Sequence, residues 1–198
     1  MTDDADTDAN PLPERYTAEL EAKRREKDDF FADHPQSPIP PEERDEFSGL
    51  EYFPPDPQYR VTATVSLEPD PEAEPVAMET TAGREMRYLR VATLVFDLER
   101  EDPDLEDGQC ELAAYSQEAT TDALFVPFRD KTTGQQSYRG GRYMELAVDG
   151  DLEDGQNLLV DFNLAYSPFC AFSETFDCPL PPEANWLEVA IPAGEQAP

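Results

Sequence analysis

The segment YRVTATVSL, residues 59–67, is the clearest strand in the sequence and decides the fold class. Its odd-numbered positions carry Tyr, Val, Ala, Val and Leu, while its even-numbered positions carry Arg, Thr, Thr and Ser. Successive side chains of a strand point to opposite faces, so this alternation predicts a half-buried β-strand.

Seven further segments show strand signals with turn residues between them. Together they predict a mainly β fold, an antiparallel barrel or sandwich of about eight short strands. After the N-terminal region, no helical period is long enough to predict a βαβ unit. The seven segments are residues 76–81, 86–98, 110–116, 123–128, 137–148, 158–166 and 186–191.

One helix is predicted before the strands, over residues 14–33. Tyr16, Leu20 and Phe31 lie on one stripe at helical spacing, and two lysines continue that stripe between Leu20 and Phe31. Because the stripe is apolar only at its ends, we expect the helix to pack across the β domain rather than inside it.

The residues outside the predicted helix and strands fall into segments of different composition. The first residues are acidic and unpatterned, which indicates disorder, and closely spaced prolines end the helix. The predicted organisation is an acidic tail at 1–13, the helix at 14–33, a Pro-rich irregular segment at 34–58 and a β domain at 59–195.

Acidic residues dominate the chain. Its 198 residues include 45 Asp plus Glu against 15 Lys plus Arg, and the formal charge is −30. This charge opposes compaction in dilute buffer, but at about 1 M salt the Debye length falls to about 3 Å. Only three of the basic residues are lysine, and arginine is the more weakly hydrated cation. These features predict a halophilic protein of a salt-rich cytoplasm.

No membrane or targeting segment is predicted. The first ten residues are acidic, and no stretch approaches the ~20 apolar residues that span a bilayer. We therefore expect a soluble, cytoplasmic, single-domain protein whose three cysteines are reduced. Because so negative a protein repels a polyanion, no nucleic-acid partner is predicted either. The oligomeric state is left open.

The hexapeptide DLEDGQ occurs twice, at residues 104–109 and 151–156. Two related hairpin units, residues 80–116 and 132–167, would explain the repeat. The alternative is convergence on acidic Asp-Gly turns. In either case both hexapeptides are predicted to be hairpin tips. The clustered carboxylates resemble a calcium loop, but the spacing of the glycine and of the last ligand does not fit, so no metal site is predicted.

Several common enzyme classes lack their residues in this sequence. His34 is the only histidine, which excludes multi-histidine metal sites and also His-containing triads unless His34 is the base. It precedes Pro35 in a predicted loop, and we interpret it as a surface residue. Since GxGxxG, P-loop and CxxC motifs are absent, no cofactor is predicted.

Basic residues concentrate in two short segments. Because positive charge is scarce, this clustering suggests a pocket for a phosphate or carboxylate, which arginine binds bidentately. The alternative is that these side chains pair with the abundant Asp and Glu across strands. The members are Arg84, Arg87 and Arg90 in one segment and Arg129, Lys131, Arg139 and Arg142 in the other.

Residues 161–185 are rich in polar, aromatic and thiol side chains. Asp161 and Asn163 have the same parity on a predicted strand and so share one face. An aromatic loop with Cys170 and Cys178 follows, and one interpretation is that the segment lines a pocket. In the other, the polar pair ties down the loop backbone and the thiols act as small buried apolar groups.

Longer motifs run in order through the chain: FVPFRD at 125–130, TG at 133–134, SY at 137–138, GGRY at 140–143, DFN at 161–163, AY at 165–166, CAF at 170–172 and CPLPP at 178–182. With the charged helix, they resemble the domain of unknown function 1684 family over residues 14–195. The resemblance implies no established activity or catalytic residue, but it implies that the RD, GGRY and DFN segments belong to a shared design. Ser167 departs from the pattern, which is expected to carry Asn there.

The preferred hypothesis is a domain that binds a small anionic molecule. Arg139 and Arg142 would hold the anionic group, acidic side chains would orient polar edges, and tyrosines would form the walls of one shared cavity. The predicted site residues are Arg129, Asp130, Tyr138, Arg139, Arg142, Tyr143, Asp161, Asn163, Tyr166, Cys170 and Cys178.

Two other functions are compatible with the sequence. The first is a hydrolase-like or isomerase-like enzyme with Asp130 or Asp161 as general base and Tyr166 or Cys170 as acid or nucleophile. It requires a carboxylate in a closed pocket that is not bound to arginine. The second is a protein-interaction module that uses the Pro-rich or the aromatic loop.

Overall fold

Seven strands form one antiparallel sheet that is nearly closed into a barrel, with an N-terminal helix packed against it. The computed structural model describes residues 14–69, 75–98, 108–117 and 122–198. The predicted acidic tail at 1–13 lies outside the described residues. The helix is α1 Glu14–Asp33, and the strands are β1 Arg60–Leu67, β2 Val76–Glu79, β3 Glu85–Asp97, β4 Gln109–Ser116, β5 Ala123–Phe128, β6 Arg142–Ala147 and β7 Asn157–Asp161.

Strand β3 is the centre of the sheet. The hydrogen-bonded order is β6-β5-β4-β3-β1-β7, and β2 pairs with the first part of β3. With 13 residues β3 is long enough to serve three neighbours, and a bulge between Arg90 and Ala92 shifts its register with β4.

The side chains of β1 and β4 divide between two faces of the sheet. On β1, Ala63 and Val65 are buried, whereas the neighbouring threonines Thr62 and Thr64 are exposed, as the alternation predicts. On β4, Leu112 points into the main core, and Tyr115 points to the opposite face, where a smaller apolar cluster packs. The protein therefore has a barrel core and a second packed surface outside it.

Residues 186–191 do not form the predicted eighth strand. Their apolar side chains Leu187, Val189 and Ile191 are buried in the barrel core, so the burial pattern itself is as expected. The backbone bends at residues 188–189, and its hydrogen bonds to residues 129–131 do not continue as a ladder. Within the described residues the sheet therefore has seven strands.

The second DLEDGQ hexapeptide, residues 151–156, is not the tip of a hairpin. It connects β6 to β7, which lie at opposite ends of the hydrogen-bonded order. Gly155 donates its N–H to the Val65 carbonyl, so the connection lies against β1 instead. Most of the first hexapeptide lies outside the described residues, between β3 and β4, which do pair. The duplication itself stays a hypothesis.

Helix α1 occupies the predicted residues and packs across the β domain. Its apolar side chains Leu20 and Phe31 are buried. Polar contacts add to this packing: Arg24 donates to the Phe53 carbonyl at 3.1 Å, and Lys27 forms an ion pair with the buried Glu195. None of the helices in the described part of the chain is long and apolar enough to cross a membrane.

Candidate functional site

The predicted site residues do not converge on one cavity. The structure separates them into a buried arginine cluster, a polar anchor beneath helix α1, and two surface pockets. The cluster contains Asp130 and Arg142; the anchor contains Asp161 and Asn163; one pocket is lined by Arg129, Tyr138, Arg139 and Cys170, with Cys178 alongside; the other is lined by Tyr143 and Tyr166.

Arg142 is a structural residue of the interior. Its side chain is 0% exposed, and its terminal nitrogens donate to the backbone carbonyls of Ala193, Ile191 (2.8 Å) and Glu195 (3.2 Å). Burial lowers the pKa of this guanidinium, and the neighbouring Asp130 opposes that effect. The prediction that Arg142 faces a ligand pocket is therefore wrong, because the side chain is enclosed and C-terminal backbone carbonyls accept from its terminal nitrogens.

Asp130 is enclosed with Arg142. One carboxylate oxygen lies 3.4 Å from the Arg142 guanidinium, and the other accepts the Ile191 N–H at 2.6 Å. The Thr132 hydroxyl donates to the same carboxylate at 2.9 Å. Every contact of this carboxylate serves to hold the chain together, so Asp130 does not fit the general base of the enzyme hypothesis.

Asp161 and Asn163 anchor helix α1 and the Pro-rich segment. The Tyr16 hydroxyl donates to Asp161 at 2.5 Å, and the Arg60 guanidinium lies 3.4 Å from the same oxygen. The Asn163 amide accepts from and donates to the backbone of Asp56, both at 2.8 Å. This is the backbone-anchoring alternative, and Asp161, like Asp130, is bound to an arginine.

Four further predicted residues line what we call the thiol–arginine pocket, which is defined by Arg129, Tyr138, Arg139 and Cys170 together with Thr81. Its volume is about 510 Å³. Three parts of the fold supply it: the end of β5, the turn before β6, and the short 3₁₀ turn Phe169–Ala171, while the β2–β3 turn closes one side.

A glycine pair before β6 shapes this pocket. Gly141 donates its N–H to the Tyr138 carbonyl at 3.0 Å, which closes a tight turn. Its φ is +92°, and a Cβ there would lie 2.7 Å from the Phe128 carbonyl oxygen. A Cβ on Gly140 would lie 2.4 Å from the Tyr138 ring. The GG dipeptide therefore permits both the turn and the observed position of the Tyr138 ring, which packs against Gly140.

Arg129 and Arg139 form no ion pair with any described residue. Arg129 stacks over the Trp186 ring at 5.0 Å, and Arg139 is exposed. Most of the other clustered cations do have acidic partners, as the pairing alternative predicts, but these partners lie outside the strands rather than across them. These pairs are Arg84 with Asp177, Arg90 with Glu68, Lys131 with Glu188, and Arg142 with Asp130.

The two thiols Cys170 and Cys178 are free and lie next to each other at the pocket. The hydrogen bond from Cys178 lowers the pKa of the Cys170 thiol to about 7, and bonds from Tyr138 and Thr81 act in the same direction against burial. The same contact, with burial, raises the pKa of Cys178. The pair therefore loses its first proton more easily than an isolated thiol does.

Tyr138 and Thr81 hold the two thiols in place. The Tyr138 hydroxyl lies 3.4 Å from the Cys170 carbonyl oxygen and 3.8 Å from its sulfur. The Thr81 hydroxyl accepts the Cys178 N–H at 3.1 Å, and the Thr81 N–H donates to the Cys178 carbonyl at 3.0 Å. The second thiol is thus fixed to the β2–β3 turn.

The predicted aromatic walls Tyr143 and Tyr166 belong to another cavity, of about 500 Å³, on the smaller apolar cluster. The charged residue lining it is Glu145, which accepts from the Tyr166 hydroxyl at 2.9 Å. Since this cavity holds a carboxylate and no cation among its described lining residues, it does not suit an anion.

Sequence reasoning missed three residues that organise the site region: Thr81, Asn185 and Glu195. Asn185 is fully buried and bonds the Ala113 N–H, the Ala113 carbonyl and the Pro127 carbonyl at 2.7–2.8 Å. Polar residues in loops leave no periodic signal, so no pattern around these three positions predicts their contacts.

The Pro-rich loop and the aromatic loop, which the interaction-module hypothesis requires as binding surfaces, expose little apolar surface within the described residues. The exposed large apolar side chains of the described chain are Leu159, Leu164 and Trp186, which lie outside both. Phe31 of α1 packs against Phe47 of the Pro-rich segment and Phe172 of the aromatic loop. His34 is exposed and stacks on Phe30, as expected for a surface residue.

The chain is similar to an uncharacterized protein of Haloarcula marismortui with a solution NMR structure. The two are 59% identical, the match covers 92% of this chain and 95% of the other, and the TM-score is 0.69. No curated protein matches. Residues 45–196 match the profile of a family described as a protein of unknown function (DUF1684). This chain therefore belongs to the DUF1684 family, as its motifs predict.

Proposed function

We propose that this protein binds a small anionic molecule in the thiol–arginine pocket. The proposal depends on one observation: Arg129 and Arg139 line the pocket without an acidic partner among the described residues. In a chain with 45 acidic residues, two arginines line one cavity and form no ion pair within the described residues. Guanidinium groups that lack a protein carboxylate are suited to a carboxylate or phosphate from outside.

The pocket's charge limits the ligand. Glu174 also lines the cavity and is exposed at its rim, so the lining carries two positive charges and one negative charge. This favours a compact anion, such as phosphate or a small di- or tricarboxylate, over a polyanion. The Tyr138 ring adds an aromatic surface for an apolar part of the ligand.

The proposal includes a salt-rich cytoplasm as the working environment. The net charge of −30 repels any anion in dilute buffer, and a Debye length of about 3 Å at 1 M salt removes most of this barrier. Contacts between arginine and anion inside the pocket are screened less than the distant repulsion. Binding is therefore expected to need high salt rather than to be abolished by it.

The test is isothermal titration of the protein with citrate and with inorganic phosphate in multimolar KCl. We expect saturable binding of at least one anion, and a loss of about tenfold or more in affinity in Arg139→Ala, since one charge-assisted contact is worth about 1.5–3 kcal/mol. Arg87→Ala is the matched control, because Arg87 is also exposed and unpaired within the described chain but lies outside the pocket.

Equal affinities of wild type and Arg139→Ala would overturn the proposal, as would heats that never saturate. General stabilisation by these salts acts alike on all three proteins and does not imitate the expected difference.

A further inference from the structure

The thiol pair and the unpaired arginines meet at one pocket. Cys170 lines the same cavity as Arg129 and Arg139, and its neighbour Cys178 is fixed by two backbone hydrogen bonds to Thr81. A nucleophilic thiol, a second thiol in contact with it and a cationic binding surface are the parts that thiol–disulfide exchange with an anionic substrate requires.

We propose that Cys170 exchanges with a small anionic disulfide held by Arg129 and Arg139, and that Cys178 resolves the mixed disulfide. The proposal rests on the anion-binding function proposed above and names the class of ligand for that pocket. The arrangement is not a CxxC motif; seven residues separate the thiols along the chain, and the fold brings them together.

The reaction balances in two steps. Cys170 releases its proton to solvent, and its sulfur attacks one sulfur of the substrate R–S–S–R. A Cys170–S–S–R bond forms, and R–S⁻ leaves. Cys178 then loses its proton, its sulfur attacks the Cys170 sulfur, and a second R–S⁻ leaves. Two electrons pass from the protein's thiols to the substrate, which ends as two thiols, and a Cys170–Cys178 disulfide remains.

The net charge of the protein makes the substrate's charge diagnostic. In multimolar KCl the field of the net charge of −30 is mostly screened, and what remains of it favours a cationic disulfide over an anionic one. A Cys170 that prefers the anionic disulfide therefore owes this preference to the local arginines. The pocket also explains which thiol acts first, because Cys170 lines the cavity.

The experiment compares two disulfides of similar size and opposite charge, dithiodipropionate and cystamine, in the same multimolar KCl. Adducts are located by mass spectrometry of peptides, and each rate is divided by the rate with a neutral free thiol in the same buffer. We expect the normalised rate at Cys170 to be about tenfold higher with dithiodipropionate. Cys110, buried in the barrel core, serves as the internal control and is expected to stay unmodified.

Variants separate the roles. Arg139→Gln, with or without Arg129→Gln, is expected to remove the preference for the anionic disulfide; the single variant changes only an exposed side chain and keeps the fold. Cys178→Ser is expected to accumulate the mixed disulfide on Cys170 and to release one equivalent of R–S⁻ instead of two.

A cystamine rate equal to or above the dithiodipropionate rate in the wild type would overturn the proposal, and so would an unmodified Cys170. Citrate titration of Cys170→Ser distinguishes the two proposals, since this variant keeps both arginines. Citrate binding without a charge preference at Cys170 rejects the exchange reaction alone. No citrate binding together with exchange that lacks a preference rejects both.

Discussion

Arg142 and Arg139 are three residues apart in the chain and occupy opposite environments. The Arg142 side chain is fully enclosed, with backbone carbonyls and Asp130 around it, whereas Arg139 is exposed at a pocket and forms no ion pair within the described chain. Proximity in sequence therefore does not decide whether an arginine is structural or available to a ligand. What decides it is whether distant backbone atoms already occupy its donors.

The turn between the two arginines produces the difference. Gly140 and Gly141 reverse the chain after Tyr138, so that β6 begins at Arg142 with its side chain pointing into the interior. Arg139 stays on the outside of the turn. The closed cluster should therefore respond to substitution through stability, and the open pocket through binding and reactivity.

Removing Arg142 is expected to have the largest effect. Arg142→Ala leaves Asp130 buried without its counter-charge and three carbonyls without their donor, which should cost about 3–5 kcal/mol of unfolding free energy. Denaturant unfolding in multimolar KCl measures this loss. Arg139→Ala is the matched control and should change stability by less than about 0.5 kcal/mol. Equal losses in the two variants would contradict the comparison.

Replacing the glycine of the turn is expected to rank second. Gly141→Ala forces a β-carbon into a left-handed backbone and to 2.7 Å from the Phe128 carbonyl, so we expect a loss of about 2–3 kcal/mol. Gly150→Ala is the control, because Gly150 has a similar φ of +78° and open space around it. It should cost about 1 kcal/mol from backbone strain alone. Denaturant midpoints compare the two variants.

The sequence predicts the elements that depend on local periodicity. The two-residue period of residues 59–67 gives β1, and residues 14–33 form the expected helix. Where turns and bends interrupt the same patterns, prediction fails: the Gly140–Gly141 turn delays β6 to Arg142, and a bend removes the strand at 186–191.

The site was less predictable because it depends on contacts across the fold. Arg142 is occupied by carbonyls some 50 residues later in the chain, which no pattern around residue 142 reveals. Scarcity of positive charge drew attention to the segment with Arg129 and Arg139. It could not separate the two unpaired arginines from the paired ones, since both kinds have the same sequence surroundings.

Glu195 allows a pH test of the closed cluster. Burial raises the pKa of this carboxyl above its ordinary value of 4.5, although Lys27 opposes the change. A raised folded-state pKa means that the group's contribution to stability is fully present below the unfolded-state pKa and is lost as the pH rises through the folded-state value. Wild type should therefore gain stability relative to Glu195→Gln as the pH falls from neutral toward 4.5.

Unfolding of both proteins across this pH range measures the difference in unfolding free energy, which should be smaller than the loss expected for Gly141→Ala. A gap that stays constant with pH would contradict the assignment.

The smallest effect is expected at the open pocket, where Tyr138 donates toward the Cys170 sulfur at 3.8 Å. Tyr138→Phe removes a donor that favours the thiolate, so the pKa of the Cys170 thiol should rise above about 7. Alkylation by iodoacetamide, a neutral reagent, should slow by about twofold to threefold at neutral pH, because one long hydrogen bond is worth about 0.5 kcal/mol. Stability should stay near that of the wild type, since the hydroxyl is at the pocket surface rather than in the core.

Cys178→Ser changes the pKa of the same Cys170 thiol by removing the contact that lowers it most, and should slow alkylation more than Tyr138→Phe does. If Tyr138→Phe instead reacts as fast as the wild type while Cys178→Ser is slow, the thiol pair alone sets the reactivity, and the turn that carries Arg139 has no part in it.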